Sequence, residues 1–476
     1  MATETASRAS VGLRSERGPI LLSLMLATSL VALDSTIIAT AVLTIVGDLG
    51  GFTQFPWLFS VYLLAQAVSV PIYGKLADVF GRKPIMLFGI AVFAIGSLLC
   101  GVAWSMPALI VFRAVQGMGA GAVQPMSLTI AGDIYSVAER AKVQGYIASV
   151  WGVSAVLGPT LGGVFSEYLS WRWIFLVNLP LCAIAAWMLM RNFAEEKITR
   201  RSRIDYPGAI LLTGGAALMI LGLLEGGQAW AWVSPAGIGV FVAGALLLVA
   251  FVLVERRVAD PILPLHMLTR RVLVASSLVS LSVGAILMGL TSYVPTFVQG
   301  VLGTGALVAG FALAVLTIGW PIAASQAGRL YLRVGFRTTA LIGSVLVLAG
   351  SALLLLLGDG SPVWQVGATC FVIGSGMGLI ATPTLIAAQS SVDWSERGVV
   401  TSTNMFARSI GSAVGVAVFG ALVNSRVGDT AEPDPTALSG AIHLVFVGIL
   451  GIAVLLTVSS ALMPRAEKAD KADSAP

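Results

Sequence analysis

Two consecutive apolar stretches decide the reading: Leu109-Ile-Val-Phe-Arg113-Ala-Val-Gln116-Gly117-Met-Gly119-Ala-Gly121 and Ser154-Ala-Val-Leu-Gly158-Pro159-Thr-Leu-Gly162-Gly163. An arginine within a run that long and apolar is costly in a bilayer, about 2.5–3.5 kcal/mol at a helix centre on insertion scales. A Gly-Pro-x-x-Gly-Gly run removes side chains where lipid would gain nothing from their absence. Both features suit helices that face other helices and a polar path, as in a transport core.

The composition places the whole chain in a membrane. Of 476 residues, 57% are hydrophobic and 11% charged, with mean hydropathy +0.92. Soluble proteins carry about 25% charge. No polar stretch is long enough to form a second, soluble domain. Fourteen apolar segments of spanning length lie near 19–46, 56–74, 85–104, 107–132, 143–166, 171–190, 207–228, 235–254, 272–298, 305–327, 338–357, 363–388, 398–424 and 439–462. The seventh and eighth are interrupted by Gly226, Gly227 and Pro235, and merging or losing them would leave twelve. The first is too long for the apolar part of a signal peptide and contains Asp34, so it reads as a retained span.

Charge sets the orientation. With the N-terminus inside, all but four of the 28 Lys and Arg fall in inner segments. Arg172 and Arg426 fall outside, and Arg113 and Arg408 lie within spans. The positive-inside rule therefore predicts both termini in the cytoplasm. The net charge of +5 has this topological explanation and does not point to nucleic acid. Cys100, Cys182 and Cys370 sit in apolar runs at spacings that match no metal motif, and read as small buried hydrophobes. Tryptophans 57, 104, 171, 173, 230, 232 and 364 cluster at outer ends as interfacial anchors.

The chain also repeats itself. Gly74-Lys-Leu-Ala-Asp78-Val-Phe-Gly81-Arg82-Lys83 follows the second span, and Gly328-Arg-Leu-Tyr-Leu-Arg333-Val-Gly335-Phe-Arg337 follows the tenth, with the same spacing between glycines. Spans 1–6 and 9–14 thus read as parallel six-helix halves. The expected organisation is a tail at 1–18, a bundle at 19–190, a linker with two extra helices at 191–271, a second bundle at 272–462 and a tail at 463–476.

These residues together resemble the major facilitator superfamily in its fourteen-span drug:proton antiporter branch. Gly74 to Met86 resembles the cytoplasmic loop signature, Leu109 to Gly121 the fourth-helix arginine motif, and Ser154 to Gly163 the fifth-helix antiporter motif. Leu33-Asp34-Ser-Thr36-Ile-Ile-Ala-Thr-Ala41 resembles the first-helix motif. The sequence departs from the family pattern at Val79, Ser154 and Leu43, and Leu332 replaces the acid in the second-half loop. The resemblance implies an all-α polytopic fold of two six-helix bundles plus two central helices. It further implies a monomer in the inner membrane of a bacterium, using the proton gradient and no bound cofactor. Its substrates would be small amphipathic or cationic drugs or antibiotics, exported by alternating access. A lipid, metabolite or self-made antibiotic is the alternative cargo on the same scaffold.

Individual residues carry two readings each. Asp34 is either a structural acid paired across helices or a protonation site, since desolvation and a nearby cation pull a carboxyl's proton affinity in opposite directions. Arg113 is either a packing arginine bonded to carbonyls or the cation that balances Asp34; Gln116, at i+3, would share the network. Gly158, Pro159, Gly162 and Gly163 allow close helix approach and a kink, and in the family mark exporters. The resemblance implies that Gly74, Asp78, Gly81, Arg82, Lys83 and Asp133 form a cytoplasmic gate, with Asp78 facing the start of the thirteenth span. Tyr62, Gln66, Trp151, Tyr293, Phe297 and Asn404 are candidate cavity liners, or ordinary packing. Glu225 reads as an acid near the outer end that reaches water, and Arg408 as an interior cation of unassigned role. No G-x-x-x-x-G-K-[ST] run for ATP and no H-E-x-x-H metal site appears, which disfavours an ATP-driven pump or a membrane-embedded hydrolase.

Overall fold

The computed structural model describes residues 12–38, 41–50, 54, 57–195, 205–227, 230–258, 261, 269–427 and 435–464. His266 and most of both tails lie outside these residues. Helices α1 (Gly18–Ile37), α2 (Val42–Leu49), α3 (Trp57–Phe80), α4 (Arg82–Gly101), α5 (Met106–Ile134), α6 (Val137–Val164), α7 (Trp173–Leu176) and α8 (Asn178–Asn192) build the first half. Helices α9 (Tyr206–Glu225) and α10 (Pro235–Glu255) form a hairpin. Helices α11 (Arg271–Gly300), α12 (Ala306–Val334), α13 (Phe336–Leu354), α14 (Val363–Ser390), α15 (Arg397–Val427) and α16 (Pro435–Leu462) build the second half. Among the described residues, thirteen helices are long and apolar enough to cross a bilayer. The 28-residue α6 lies on the fifth expected segment, so every expected segment coincides with a helix or a broken pair of helices.

The breaks are what apolarity did not reveal. The first expected segment, 19–46, divides between α1 and α2, whereas in the sixth, 171–190, α7 and α8 are parted only by Val177, whose backbone stays helical, and run on as one span. A five-residue π-helix, Phe165–Leu169, closes the fifth. Backbone polar groups inside a bilayer must be satisfied within the segment, so spans read as helices, but nothing in hydropathy locates their interruptions.

The halves repeat each other's packing. In the first, α4 lies on α5, α3 on α5, α1 on α6 and α1 on α8; in the second, α13 lies on α14, α12 on α14, α11 on α15 and α11 on α16. Each half has its own apolar core, one around Phe93, Met126 and Leu30, the other around Phe297, Phe446 and Ile373. Two equivalent crossings join them, α3 with α15 and α6 with α12. At the first, a methyl on Gly74 would run into Ser402 and the Gly398 carbonyl; at the second, one on Gly328 would meet the Ala141 methyl. The hairpin α9–α10 packs at the seam against α3 and α15.

Gly81 (φ 103°) and Gly335 (φ 85°) turn the chain between α3 and α4 and between α12 and α13. Both adopt the left-handed backbone that glycine enters without steric cost. The internal repeat is therefore a repeat of two tight turns as well as of two crossings.

Candidate functional site

Two ionic clusters stand apart from the apolar packing. The first lies inside the N-terminal half. Asp34 of α1 and Arg113 of α5 are each 1% exposed, and Arg113 Nη1 donates to Asp34 Oδ2 at 2.5 Å. Gln116 Nε2 donates to Asp34 Oδ1 at 2.7 Å, while Gln116 Oε1 accepts from Arg113 Nη1 at 2.7 Å. Gln116 therefore touches both charges, as its position one turn beyond Arg113 allows.

Ser97 and Asn178 complete this cluster and were not singled out in the sequence. Gln116 Nε2 also donates to Ser97 Oγ at 2.8 Å, and Asn178 Nδ2 lies 3.4 Å from both Asp34 Oδ1 and Ser97 Oγ. Arg113 Nε donates to the Leu58 carbonyl at 3.2 Å, and its guanidinium stands 4.1 Å from the Tyr62 ring centroid. Taking two charges out of water costs several kcal/mol per ion, recovered only where geometry and additional hydrogen bonds are good. Here helices α1, α3, α4, α5 and α8 each supply a partner.

The antiporter-motif helix α6 braces α1 beside this cluster. Thr36 Oγ1 donates to the Ser154 carbonyl at 3.0 Å, and a methyl on Gly158 would overlap that threonine. Gly162 is buried, whereas Gly163 faces open space. The helix continues through Pro159 without interruption.

The second cluster joins the two halves at the end bearing most of the charged loops. Asp78 accepts from the Gly398 and Val399 amides at 3.0 and 2.8 Å, the first free N–H groups of α15, where the helix dipole favours an anion. Arg82, fully buried, pairs with Asp78 at 2.8 Å and approaches Asp133 Oδ2 at 3.1 Å. From the other half, Arg397 reaches Asp133 Oδ1 at 3.1 Å. Arg82 also donates to the Trp394 carbonyl at 2.6 Å and stacks over that ring at 3.7 Å. Arg140 reaches Ser390 Oγ at 3.2 Å, and the Tyr331 hydroxyl donates to the Val137 carbonyl.

Lys83 takes no part between the halves. Its ammonium donates to the Met190 and Phe193 carbonyls at the end of α8. Glu195 accepts from the Arg82 and Lys83 amides at 2.7 and 2.9 Å, capping α4. Glu195, Arg397 and Trp394 were not legible as partners, because each lies more than 100 residues from what it touches.

The cavity candidates do not gather in one place. Tyr62 lies under Arg113, and Gln66 donates to Gln124 Oε1 at 3.2 Å. Trp151 packs on the N-terminal core. Tyr293 meets Phe419 with centroids 6.4 Å apart. Phe297, with no exposed surface, is enclosed by Phe446 and His443, so it is core rather than lining. Asn404 is buried beside Ser280. Two other expectations are corrected: Glu225, 7% exposed, is largely withdrawn from solvent and bonded to Ser60. Trp171 is also buried, its Nε1 donating to Asp48 Oδ2 at 3.0 Å.

A groove of about 840 Å³ runs between α6 and α12, lined by Tyr146, Val153, Leu157, Ile318 and Ile322, with Lys142 at its charged end. Among the described residues no group of His, Cys, Asp and Glu is arranged to hold a metal ion.

Two pseudo-symmetric six-helix halves, a buried ion pair in one and an ionic latch between them define a polytopic membrane transporter. The Major Facilitator Superfamily model matches residues 24–416, and the chain belongs to that family. It is 37% identical over 423 residues to Multidrug resistance protein 3 of Bacillus subtilis, covering 88% of this chain and 81% of the relative. It is 36% identical to Multidrug transporter protein MdtP of the same organism (88% and 77% covered). It is 32% identical to Efflux pump dotC of Dothistroma septosporum (83% and 70% covered). Among solved structures, the human organic anion transporter MFSD10 (TETRAN) superposes with TM-score 0.65 at 15% identity, covering 94% of this chain and 99% of that one; that likeness concerns the fold.

Proposed function

We propose that this transporter is a proton-driven antiporter in the bacterial inner membrane, exporting small amphipathic compounds, cationic drugs and antibiotics among them. The observation that carries the reading is the buried triangle of Asp34, Arg113 and Gln116. An ionisable residue inside a membrane is expensive and marks an ion or proton path. Arg113 cannot give up its proton, so the exchangeable proton belongs to Asp34. With the pair closed, Asp34 is the anion. Protonating it removes the charge that holds Arg113 Nη1 and turns Gln116 and Asn178 from partners of a carboxylate into partners of an acid.

The inter-half latch supplies the conformational side of the cycle. With positive loops inward, Asp78, Arg82, Asp133 and Arg397 hold the two halves together at the cytoplasmic end, the contact expected of a state closed to the cytoplasm. Opening inward requires Asp78 to leave the α15 amides and Arg397 to leave Asp133. The names of the bacterial and fungal relatives support efflux as the direction. Inward proton flow supplies about 2.3 kcal/mol per 100 mV for each charge.

The test uses everted membrane vesicles carrying the protein, energised and loaded with a pH-sensitive dye. Adding ethidium is expected to release protons from the lumen in wild type and not in Asp34→Asn. No release with ethidium or with a panel of neutral drugs would sink the drug-efflux reading. Release unchanged in Asp34→Asn would move the proton site elsewhere.

A further inference from the structure

The C-terminal half holds a cation with none of the partners its counterparts have. Arg82 and Arg113 each face carboxylates. Arg408, in the middle of α15, has no acidic side chain and no hydrogen-bond acceptor among the described residues; its guanidinium stands 4.9 Å from the Trp320 ring centroid of α12. A ring face attracts a cation but takes none of its five N–H groups. One turn earlier on the same face, Asn404 is 7% exposed. Its Oδ1 accepts from Ser280 Oγ at 2.5 Å, while its buried Nδ2 donates to nothing.

Two sets of unused N–H donors thus lie one helical turn apart, both on a helix that crosses the membrane: Asn404 Nδ2 is buried without an acceptor, and the part-exposed Arg408 keeps its guanidinium donors open to an incoming acceptor. What the place lacks is a group that is all acceptor and carries negative charge. A carboxylate has that character, and it pairs with a guanidinium through two parallel hydrogen bonds. The Trp320 face beside it suits a flat apolar body.

We propose that Arg408, Asn404 and Trp320 form a substrate subsite for the carboxylate of aromatic amphiphiles. The cargo of this transporter then extends to acidic and zwitterionic compounds. The inference rests on the transport reading above but not on proton coupling. Arg408 binds the carboxylate, Asn404 Nδ2 donates to its second oxygen, and Trp320 stacks on the ring system. The proton site and the anion subsite lie in opposite halves, so binding in one does not neutralise the other.

The test is equilibrium binding to the purified full-length protein in detergent, with dansyl-phenylalanine and its methyl ester as a matched pair. Wild type is expected to bind the acid at least tenfold more tightly than the ester. In Arg408→Gln that ratio is expected to fall to near one, in Arg408→Lys to an intermediate value, and in Asn404→Ala by several-fold. A ratio near one in wild type overturns the proposal without any variant, as does a tenfold ratio that survives in Arg408→Gln. Because binding needs no gradient, failure of proton release with ethidium in vesicles would remove the antiport reading and leave this ratio standing.

Discussion

Asp34 and Arg113 hold each other in place where neither could stay alone. Removing one member of a buried pair costs about 3–5 kcal/mol because the other is left charged and unpaired. Asp34→Asn is therefore expected to lower the melting temperature in detergent, and the double variant Asp34→Asn/Arg113→Gln to recover part of the loss; a double variant as unstable as the sum of the singles would contradict the pairing. Gln116→Ala removes two charge-assisted bonds, one to Asp34 and one from Arg113, each worth about 1.5–3 kcal/mol, but leaves the Asp34–Arg113 pair itself, and should weaken coupling less than Asp34→Asn. Asp48 gives a separate pH prediction outside the membrane. The Arg172 guanidinium at 2.7 Å and the Trp171 indole hold its carboxyl below the ordinary range. A carboxyl lowered on folding stabilises the native state above its unfolded pKa, about 3.9, and that contribution fades as pH falls through the folded value. The melting-temperature difference between wild type and Asp48→Asn should be present at pH 7 and vanish in strong acid. Asp34, Arg113 and Gln116 stood out in the sequence because charge in an apolar run has a cost that demands a partner. Ser97 and Asn178 did not, because serine is common in spans, where its hydroxyl bonds its own helix backbone, and Asn178 carries no charge whose cost would demand a partner.

At the scale of elements, the inner latch is a helix N-terminus gripping a carboxylate, and its geometry depends on glycine. Gly74 lets α3 and α15 approach until Asp78 reaches the amides of Gly398 and Val399. Gly74→Val would force these helices apart, at about 1–3 kcal/mol for overpacking, and should impair transport while leaving the protein in the membrane. Asp78→Asn weakens the same contact without a steric change. With spin labels at Phe80 and Leu332, exposed at the ends of α3 and α12, it is expected to shift the inter-label distance distribution to longer values; an unchanged distribution would argue against the latch. The glycine and acid spacings of this loop were readable because turns and close crossings restrict residue type. Arg397 and Trp394 were invisible for the opposite reason. An inner-loop arginine is what the positive-inside rule predicts anyway, and nothing local distinguishes one that crosses between halves. The break between α1 and α2 escaped notice because the apolar run continues across it.

For the whole molecule, the parallel repeat was legible in two loops with equal glycine spacing, and the matching pairs of helix contacts extend it to both halves. Which state the transporter occupies was not legible, since both states use the same helices and differ in which inter-half contacts are made. Nor was the asymmetry between the halves: one carries a satisfied ion pair, the other an arginine awaiting a partner. Both arginines look alike in sequence, and their difference lies in what the fold sets against them. The central claim is that Asp34 carries the proton exchanged for substrate. It is tested most directly by adding ethidium to the purified protein in weakly buffered detergent solution and following the pH. Wild type is expected to release protons on binding, and Asp34→Asn to release none at equal ethidium occupancy. Equal release from both would contradict the account.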